Sequence, residues 1–367
     1  MNILINCSNL RQGGGVQVAD SICSYLNKFR EHKFVVVLST AMSNTGVKIE
    51  GYDNVELHYY DLVKSIKNTL TLKDAYLDGL VSKKGCDAVL TVFGPSRWKP
   101  SVPHLCGFAR PHILPMETPY FSNLSWKEKV INYLVKKSFG RSADNYWTEN
   151  LAVTELLQKV FPKKRIYTVS NTYNQVFDDK VAWKEHKLPQ FDGVSLLTVT
   201  SSYPHKNLGI ALDILKELKT THPDFKIRFV FTIDEKDYLP VPSEFRESFC
   251  LIGRVDISEC PSLYEQTDIM FQPTLLECFT ATYAEAMRMG VPIVTTNLSF
   301  ARGLCQDAAL YYSSLSAKEA AEKIYELAND SQLRDKLITR GKVVLKGFDS
   351  SEKRADKLIS LLEIIKD

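Results

Sequence analysis

Short apolar runs alternate along the chain with longer amphipathic ones, and the alternation predicts a repeating strand–helix order. Residues 2–7 read as a buried strand, and the turn Gly13-Gly14-Gly15 opens a helix running to about residue 29. Strands follow at 34–38, 55–60 and 87–93, and again at 145–149 and 166–171, with helical stretches between them. Residues 179–192 are polar and irregular and read as a linker. A second series then begins with a strand at 194–201, the loop Ser202-Tyr-Pro204-His205-Lys206-Asn207 and a helix at 208–219. Strands at 226–232, 251–255 and 269–272 complete a second sheet, and helices at 317–328, 331–344 and 351–365 close the chain. Strands separated by helices pair in parallel. The expected fold is therefore α/β, with two doubly wound Rossmann-like domains facing each other across a cleft. Residues 1–178 form the first domain and 193–350 the second, with the helix 351–365 able to pack back on the first.

The densest signal is Gln272-Pro-Thr-Leu-Leu-Glu277-Cys-Phe-Thr-Ala-Thr-Tyr-Ala-Glu285-Ala-Met-Arg-Met-Gly290-Val-Pro292. Ile269-Met-Phe-Gln reads as a buried strand, Ala281 to Met289 as a helix, and Gly290 as its C-cap before a new strand. Glu277 then lies in a loop at the carboxyl edge of a parallel strand, and Glu285 in the first turn of the next helix. Ligands of open α/β sheets bind at that edge, and the helix start offers free amides to an anion. Thr282-Tyr-Ala-Glu285 also fits a capping box, which by itself accounts for Glu285 but leaves Glu277 unexplained.

Composition narrows the class. The 367 residues, 44% hydrophobic and 24% charged, suffice for two ordinary cores and exclude a disordered chain. Eight cysteines without a C-x-x-C pair read as buried thiols of a reducing compartment, neither a disulfide frame nor a zinc site. No apolar run reaches the roughly 20 residues that span a bilayer, and the N-terminus lacks signal-peptide character. A cytoplasmic protein is expected, at most peripheral on the inner face of the cytoplasmic membrane. Net charge is +3, but residues 1–180 hold 23 Lys and Arg against 16 Asp and Glu, while the remainder holds 23 against 27. The first half is the better match to an anionic partner such as a lipid phosphate, and nucleic acid is not expected.

The first half offers further candidates. Gly13 to Gly15 form a loop that suits an anion or a plain tight turn, yet Val18 breaks the dinucleotide fingerprint and no Gly-Lys-Ser/Thr completes a Walker loop. His104 lies within an apolar strand and reads as a core histidine, whereas Arg110 and His112 follow it in a proline-punctuated loop and are candidates to touch substrate. Helix 125–141 has a basic polar face, and its Trp126, Val130, Tyr133, Leu134 and Phe139 can dip into a lipid interface or pack on the sheet. Packing on the sheet is the favoured reading.

Lys206, Arg254, the helix start at Phe279-Thr280 and the two glutamates converge on one chemistry. Cations and free amides suit a diphosphate, and carboxylates suit hydroxyls, so a nucleotide-sugar is the implied ligand. The stretch from Asp268 to Asn297, together with Pro204-His-Lys206-Asn207, Leu251-Ile-Gly253-Arg-Val and Ser170-Asn171-Thr-Tyr-Asn, resembles the E-x7-E region of the family 4 retaining glycosyltransferases. The resemblance spans roughly residues 140–345 well and the first domain in outline.

It implies the GT-B fold, a hexosyltransferase reaction with retention at the anomeric carbon, and neither a metal nor a cofactor. Glu277 would hold the donor sugar's hydroxyls, Glu285 the ribose, Lys206 the leaving diphosphate, and the amides of Phe279 and Thr280 would add the helix dipole. Arg254 and Val255 would flank the base, Gly14 and Gly15 would close on the donor, and His112, in preference to His104, would be the acceptor-side histidine beside Arg110. Two positions depart from the family pattern: Thr200 and Ser201 stand where Gly-Arg is usual, and Cys278 replaces the glycine after the first glutamate. The expected role is transfer to a glycan or lipid-linked acceptor in bacterial surface polysaccharide synthesis, such as O-antigen or capsule. A nucleotide-sugar-binding partner subunit and a sugar-nucleotide epimerase or phosphorylase are the rival readings.

Overall fold

Strand positions rich in Val, Ile, Leu and Phe build two parallel sheets, of seven and six strands, in a computed structural model that describes residues 1–11, 13–43, 49, 51–63 and 65–367. They belong to two units. The first comprises Met1–Met116, Leu124–Asn171 and Asp349–Asp367. Its elements are β1 (Asn2–Cys7), α1 (Gly14–Cys23), β2 (Lys33–Leu38), β3 (Val55–Tyr59), α2 (Ile66–Thr71), α3 (Ala75–Lys84), β4 (Ala88–Thr91), β5 (His104–Gly107), α4 (Trp126–Ser142), β6 (Asn145–Thr148), α5 (Leu151–Val160) and β7 (Arg165–Thr168). The order across the sheet is β3-β2-β1-β4-β5-β6-β7. Both faces of β1 are covered, which explains its unbroken apolar run. Ile3 and Ile5 pack with Val18 and Ile22 of α1, while Leu4 packs with Leu77, Leu80 and Val81 of α3.

The second unit comprises Glu117–Asn123 and Thr172–Phe348. It runs β8 (Val194–Thr198), α6 (Ile210–Thr221), β9 (Ile227–Phe231), β10 (Phe249–Leu251), α7 (Cys260–Glu265), β11 (Ile269–Gln272), α8 (Ala281–Met289), β12 (Ile293–Thr296), α9 (Ser299–Cys305), β13 (Ala309–Tyr312), α10 (Ala317–Asn329) and α11 (Ser331–Leu345). The strand order is β10-β9-β8-β11-β12-β13. The helix α8 ends at Gly290 with φ 71, the left-handed C-cap its sequence predicts.

Several expectations need correction. The first helix stops at Cys23 and a separate 3-10 turn follows at Leu26–Lys28, because Asn54 Nδ2 takes the carbonyls of Leu26 and Phe29 at 2.9 and 3.0 Å. Residues 179–192 are not a free linker. Lys184 N–H donates to the Ser258 carbonyl at 2.9 Å, His186 N–H to Ser262 Oγ at 3.1 Å and Leu188 N–H to Gln266 Oε1 at 3.0 Å, which ties the segment to the second unit. The edge strand β13 is a four-residue segment that the hydrophobic pattern does not single out.

The last helix, α12 (Ser351–Lys366), returns to the first unit. Leu358, Ile359, Leu362 and Ile365 join the core of β1, β4 and α1 at helical spacing. Arg354 on the same helix is 1% exposed; it donates to Asn171 Oδ1 and Ser21 Oγ. Asn171 Nδ2 in turn donates to the buried Glu149 carboxylate at 2.6 Å. Burial raises Glu149 to about 7, against the opposing pull of Arg354 and Asn171, and burial lowers Arg354 to about 10. Removing one charge from such a network leaves the other buried without compensation. Arg354→Ala is therefore expected to cost about 3 kcal/mol in denaturant unfolding, and the double variant Glu149→Gln/Arg354→Met to cost clearly less.

Candidate functional site

In the second sheet β8 and β11 are neighbours whose chains continue in opposite directions, to β9 on one side and β12 on the other. The loops after them leave the carboxyl edge side by side, at the switch point where open α/β sheets bind ligands. The first loop carries a 3-10 turn at Pro204–Lys206, with Pro at its start and Asn207 closing it at φ 51. Leu275 N–H donates to the His205 carbonyl at 2.7 Å and Thr274 Oγ1 to the same oxygen at 3.3 Å, which fastens the two loops together. The consequence is a direct ion pair between Lys206 Nζ and Glu277 Oε1, with Thr274 Oγ1 adding a 3.1 Å hydrogen bond to that carboxylate oxygen. Their side chains are 16% and 12% exposed, so the pair is sheltered yet reachable.

The segment Glu117–Asn123, although it lies between β5 and α4 in sequence, is part of this second unit. Thr118 Oγ1 donates to the Leu275 carbonyl at 2.6 Å, and the Tyr120 ring meets His205 edge-on at 6.0 Å. Tyr203 stacks on His205 from its own loop, with ring centroids 5.7 Å apart. Thr118 and Tyr120 carry no motif, and although His205 and Thr274 lie within the motif stretches, sequence reading does not single out the support these four give the two loops.

The capping-box assignment of Glu285 is overturned. Thr280 is the N-cap of α8 and its side chain makes no capping bond; its hydroxyl meets Thr282 Oγ1 at 2.9 Å instead. Glu285 lies 4% exposed, where Tyr264 of α7 donates to it at 3.1 Å. The nine-residue helix thus starts without a side-chain cap on its first amides, a polarity that favours an anion. Phe279 beside it packs edge-on against Phe348 at 6.1 Å. Cys278, at the position that departs from the family pattern, is buried.

Other predicted residues stand apart from this cluster. Arg254 is exposed on the loop after β10, two strands from β8, and Val255 packs against the core of α7 to α9. Ser201 is exposed, and its carbonyl accepts from Tyr203 N–H at 2.9 Å. In the first unit Gly13 takes φ 75 at the start of α1, a left-handed conformation that suits glycine, and Gly14 is exposed beside half-buried Gly15. Arg110 and His112 follow β5 in and before a 3-10 turn, both half-buried. His104 is a core histidine: its ring bonds Thr91 Oγ1 at 2.8 Å and the Ser142 carbonyl at 2.9 Å, and burial lowers it to about 4. Seven cysteines are buried and Cys250 is half-buried, all as free thiols.

With this geometry in view, comparison with known proteins gives one family-model match, within the second unit. Residues 182–344 match the family model described as "Glycosyl transferases group 1". No curated protein matches. Among solved structures, sucrose-phosphate synthase from Thermosynechococcus elongatus aligns with a TM-score of 0.74 at 13% identity, over 99% of this chain and 98% of that one. A glycosyltransferase from Rickettsia africae aligns at 0.69 and 14% identity, over 99% and 98%. The Anabaena HepE protein, solved with UDP and glucose, aligns at 0.65 and 13% identity, over 99% of both chains. At such identities the shared property is the fold, which is GT-B.

Burial raises Glu285 from an ordinary 4.5 to about 7, and the Tyr264 hydroxyl opposes the shift without cancelling it. The folded protein therefore holds this proton more tightly than the unfolded chain. The stability this group contributes is fully present below about 4.5 and is lost as pH rises through about 7. Melting temperatures measured across pH 4 to 8 should fall over that window in the parent protein, and Glu285→Gln should make the fall shallower.

Proposed function

We propose that this chain is a retaining, metal-independent glycosyltransferase that moves a hexose from a nucleotide-diphosphate sugar to a glycan or lipid-linked acceptor in bacterial surface polysaccharide synthesis. The observation that carries the reading is the Lys206–Glu277 pair at the switch point of the second sheet, beside an uncapped helix start. A diphosphate takes the lysine and the α8 amides, and the freed carboxylate accepts from sugar hydroxyls. The pair thus holds each group in place for the ligand atom that replaces its partner. Glu285, poised near neutrality, accepts from ribose hydroxyls in its ionised form, and Arg254 and Val255 flank the base. As the glycosidic bond to the leaving phosphate breaks, negative charge grows on that phosphate oxygen. Lys206 and the helix start meet it there, and stabilisation that strengthens in the transition state is what accelerates the step. Retention and the absence of a metal requirement rest on the E-x7-E resemblance, and the UDP and glucose bound by HepE support a nucleotide-sugar donor. Gly14, Gly15 and His112 take the donor-closing and acceptor-side roles. Ser201 brings no cation to the phosphates, and Arg11 is engaged by Asp61, so Arg254 is the remaining candidate for that charge.

The acceptor's membrane setting is supported by α4. Contrary to the sheet-packing expectation, Trp126 is 71% and Tyr133 55% exposed, and Val130 and Leu134 are exposed beside them. At 3.6 residues per turn, Trp126, Val130, Tyr133, Leu134 and Lys137 share one outward stripe, flanked by Lys127, Lys129, Lys136 and Arg141. Phe139, Ser138 and Ser142 are buried and fix the opposite face. An exposed aromatic stripe edged with lysines matches an anionic lipid interface.

Glu277→Ala should lower turnover of a nucleotide-sugar by about a hundredfold or more while the circular dichroism spectrum stays that of the parent. Unchanged turnover would sink the assignment, and donor binding without transfer to any acceptor would point to the partner-subunit reading. In sedimentation with vesicles, the parent should bind phosphatidylglycerol and not phosphatidylcholine, and Trp126→Ala/Tyr133→Ala should stay in the supernatant.

A further inference from the structure

The first sheet has a switch point of its own. β1 and β4 are neighbours, with β2 and β3 continuing on one side and β5 to β7 on the other. The loops leaving β1 and β4 are joined there by Asn9, whose Nδ2 donates to the Phe93 carbonyl at 2.7 Å and reaches the Pro95 carbonyl at 3.5 Å. The β5 loop is fastened to the same place, because Gly94 N–H donates to the Gly107 carbonyl at 2.8 Å.

This junction carries two arginines. Arg97 sits at φ 48, a left-handed conformation unusual for a side chain with a Cβ, and its neighbours impose it. Ser96 and Trp98 on either side are fully buried, Ser96 Oγ donates to the Trp98 carbonyl at 2.6 Å, and the Trp98 indole donates to Asp78 at 2.9 Å. Arg110 follows β5, half-buried, with its Nε shielded from solvent and unbonded. Among the described residues no carboxylate pairs with either guanidinium. Burial first, and then the charge of Arg110, hold Arg97 below the ordinary guanidinium range, so the two cations lie within electrostatic reach of each other. Asn9 Oδ1, two residues of backbone contact from Arg97, is likewise buried without a partner.

We propose that Arg97 and Arg110 form an oxyanion site at the switch point of the first sheet, which takes the phosphate or carboxylate of an anionic sugar acceptor. Two half-buried guanidiniums without a counter-charge are costly, and a bound oxyanion satisfies both with charge-assisted, fork-shaped hydrogen bonds. The idle Asn9 oxygen accepts from a hydroxyl of the same ligand. This rests on the glycosyl-transfer reading for the word acceptor, whereas the anion site itself stands on the first unit alone.

Calorimetry on the full chain separates the two. The probes are glucose 6-phosphate, glucuronate, uncharged glucose and, for the donor side, UDP-glucose; the variants are Arg97→Gln, Arg97→Lys, Arg110→Gln and Lys206→Gln. Glucose 6-phosphate, glucuronate or both should bind the parent and Lys206→Gln alike, while Arg97→Gln and Arg110→Gln weaken that binding about tenfold or more and Arg97→Lys retains part of it. Which anion binds tells phosphate from carboxylate. The proposal is overturned if neither anion binds the parent, if glucose binds as well as its charged relatives, if Arg110→Gln binds like the parent, or if the loss falls on Lys206→Gln instead. Should Arg97→Gln fail to fold, Arg110→Gln decides. Loss of UDP-glucose binding in Lys206→Gln reports on the transfer reading separately.

Discussion

One backbone hydrogen bond, from Leu275 N–H to the His205 carbonyl, sets the geometry on which the candidate site depends. Each partner sits in a loop that has left the sheet, where neither group has a ladder neighbour to satisfy it. Their pairing fixes the spacing between the loops after β8 and β11, and with it the meeting of Lys206 and Glu277. The Thr118 hydroxyl satisfies the Leu275 carbonyl, the other polar group of the same residue. Leu275 is thus bonded through both its N–H and its carbonyl.

The two sheets repeat one topological device and treat charge differently. In the second, the cation and the carboxylate at the switch point neutralise each other, and the buried Glu285 is met by a hydroxyl. In the first, the charge of Arg110 reaches Arg97, and among the described residues no carboxylate pairs with either. An ion pair keeps a site stable until a ligand supplies replacements for both partners, whereas uncompensated cations wait for a ligand to complete them. That contrast gives the two edges distinct chemistry within one architecture.

The C-terminal helix contributes a different kind of constraint. α12 buries an arginine in the first unit, where Asn171 relays its charge to Glu149, and Asp349 N–H donates to Ser170 Oγ at 2.8 Å. Asn171 and Asp349 are the residues of the first unit that flank the long segment Thr172–Phe348 of the second, so both ends of that segment adjoin this polar network. The bonds to Asn171 and Ser21 are what make the buried guanidinium tolerable, and its Nε alone stays buried without a partner among the described residues.

The hydrophobic pattern alone determined the α/β class, the parallel sheets and the succession of strands and helices, because period and side-chain branching are properties of the chain itself. Gly290 could be read as a C-cap for the same local reason, and His104 as a core residue. Contacts between distant segments were not legible. Thr282-x-x-Glu285 fits a capping box by spacing, although the helix read from Ala281 already puts Thr280 at the N-cap, and only the fold shows that Tyr264, 21 residues earlier, meets the carboxylate. The apolar residues of α4 fit either a core or a lipid surface, and only the burial of Phe139 on the opposite face shows which side is outward. Glu277 could be marked from its loop position, but its lysine partner lies 71 residues away, brought to it by strand order and a loop-to-loop hydrogen bond. Periodicity is written locally, whereas pairing across a sheet edge depends on which strands become neighbours, and that is decided by the tertiary structure.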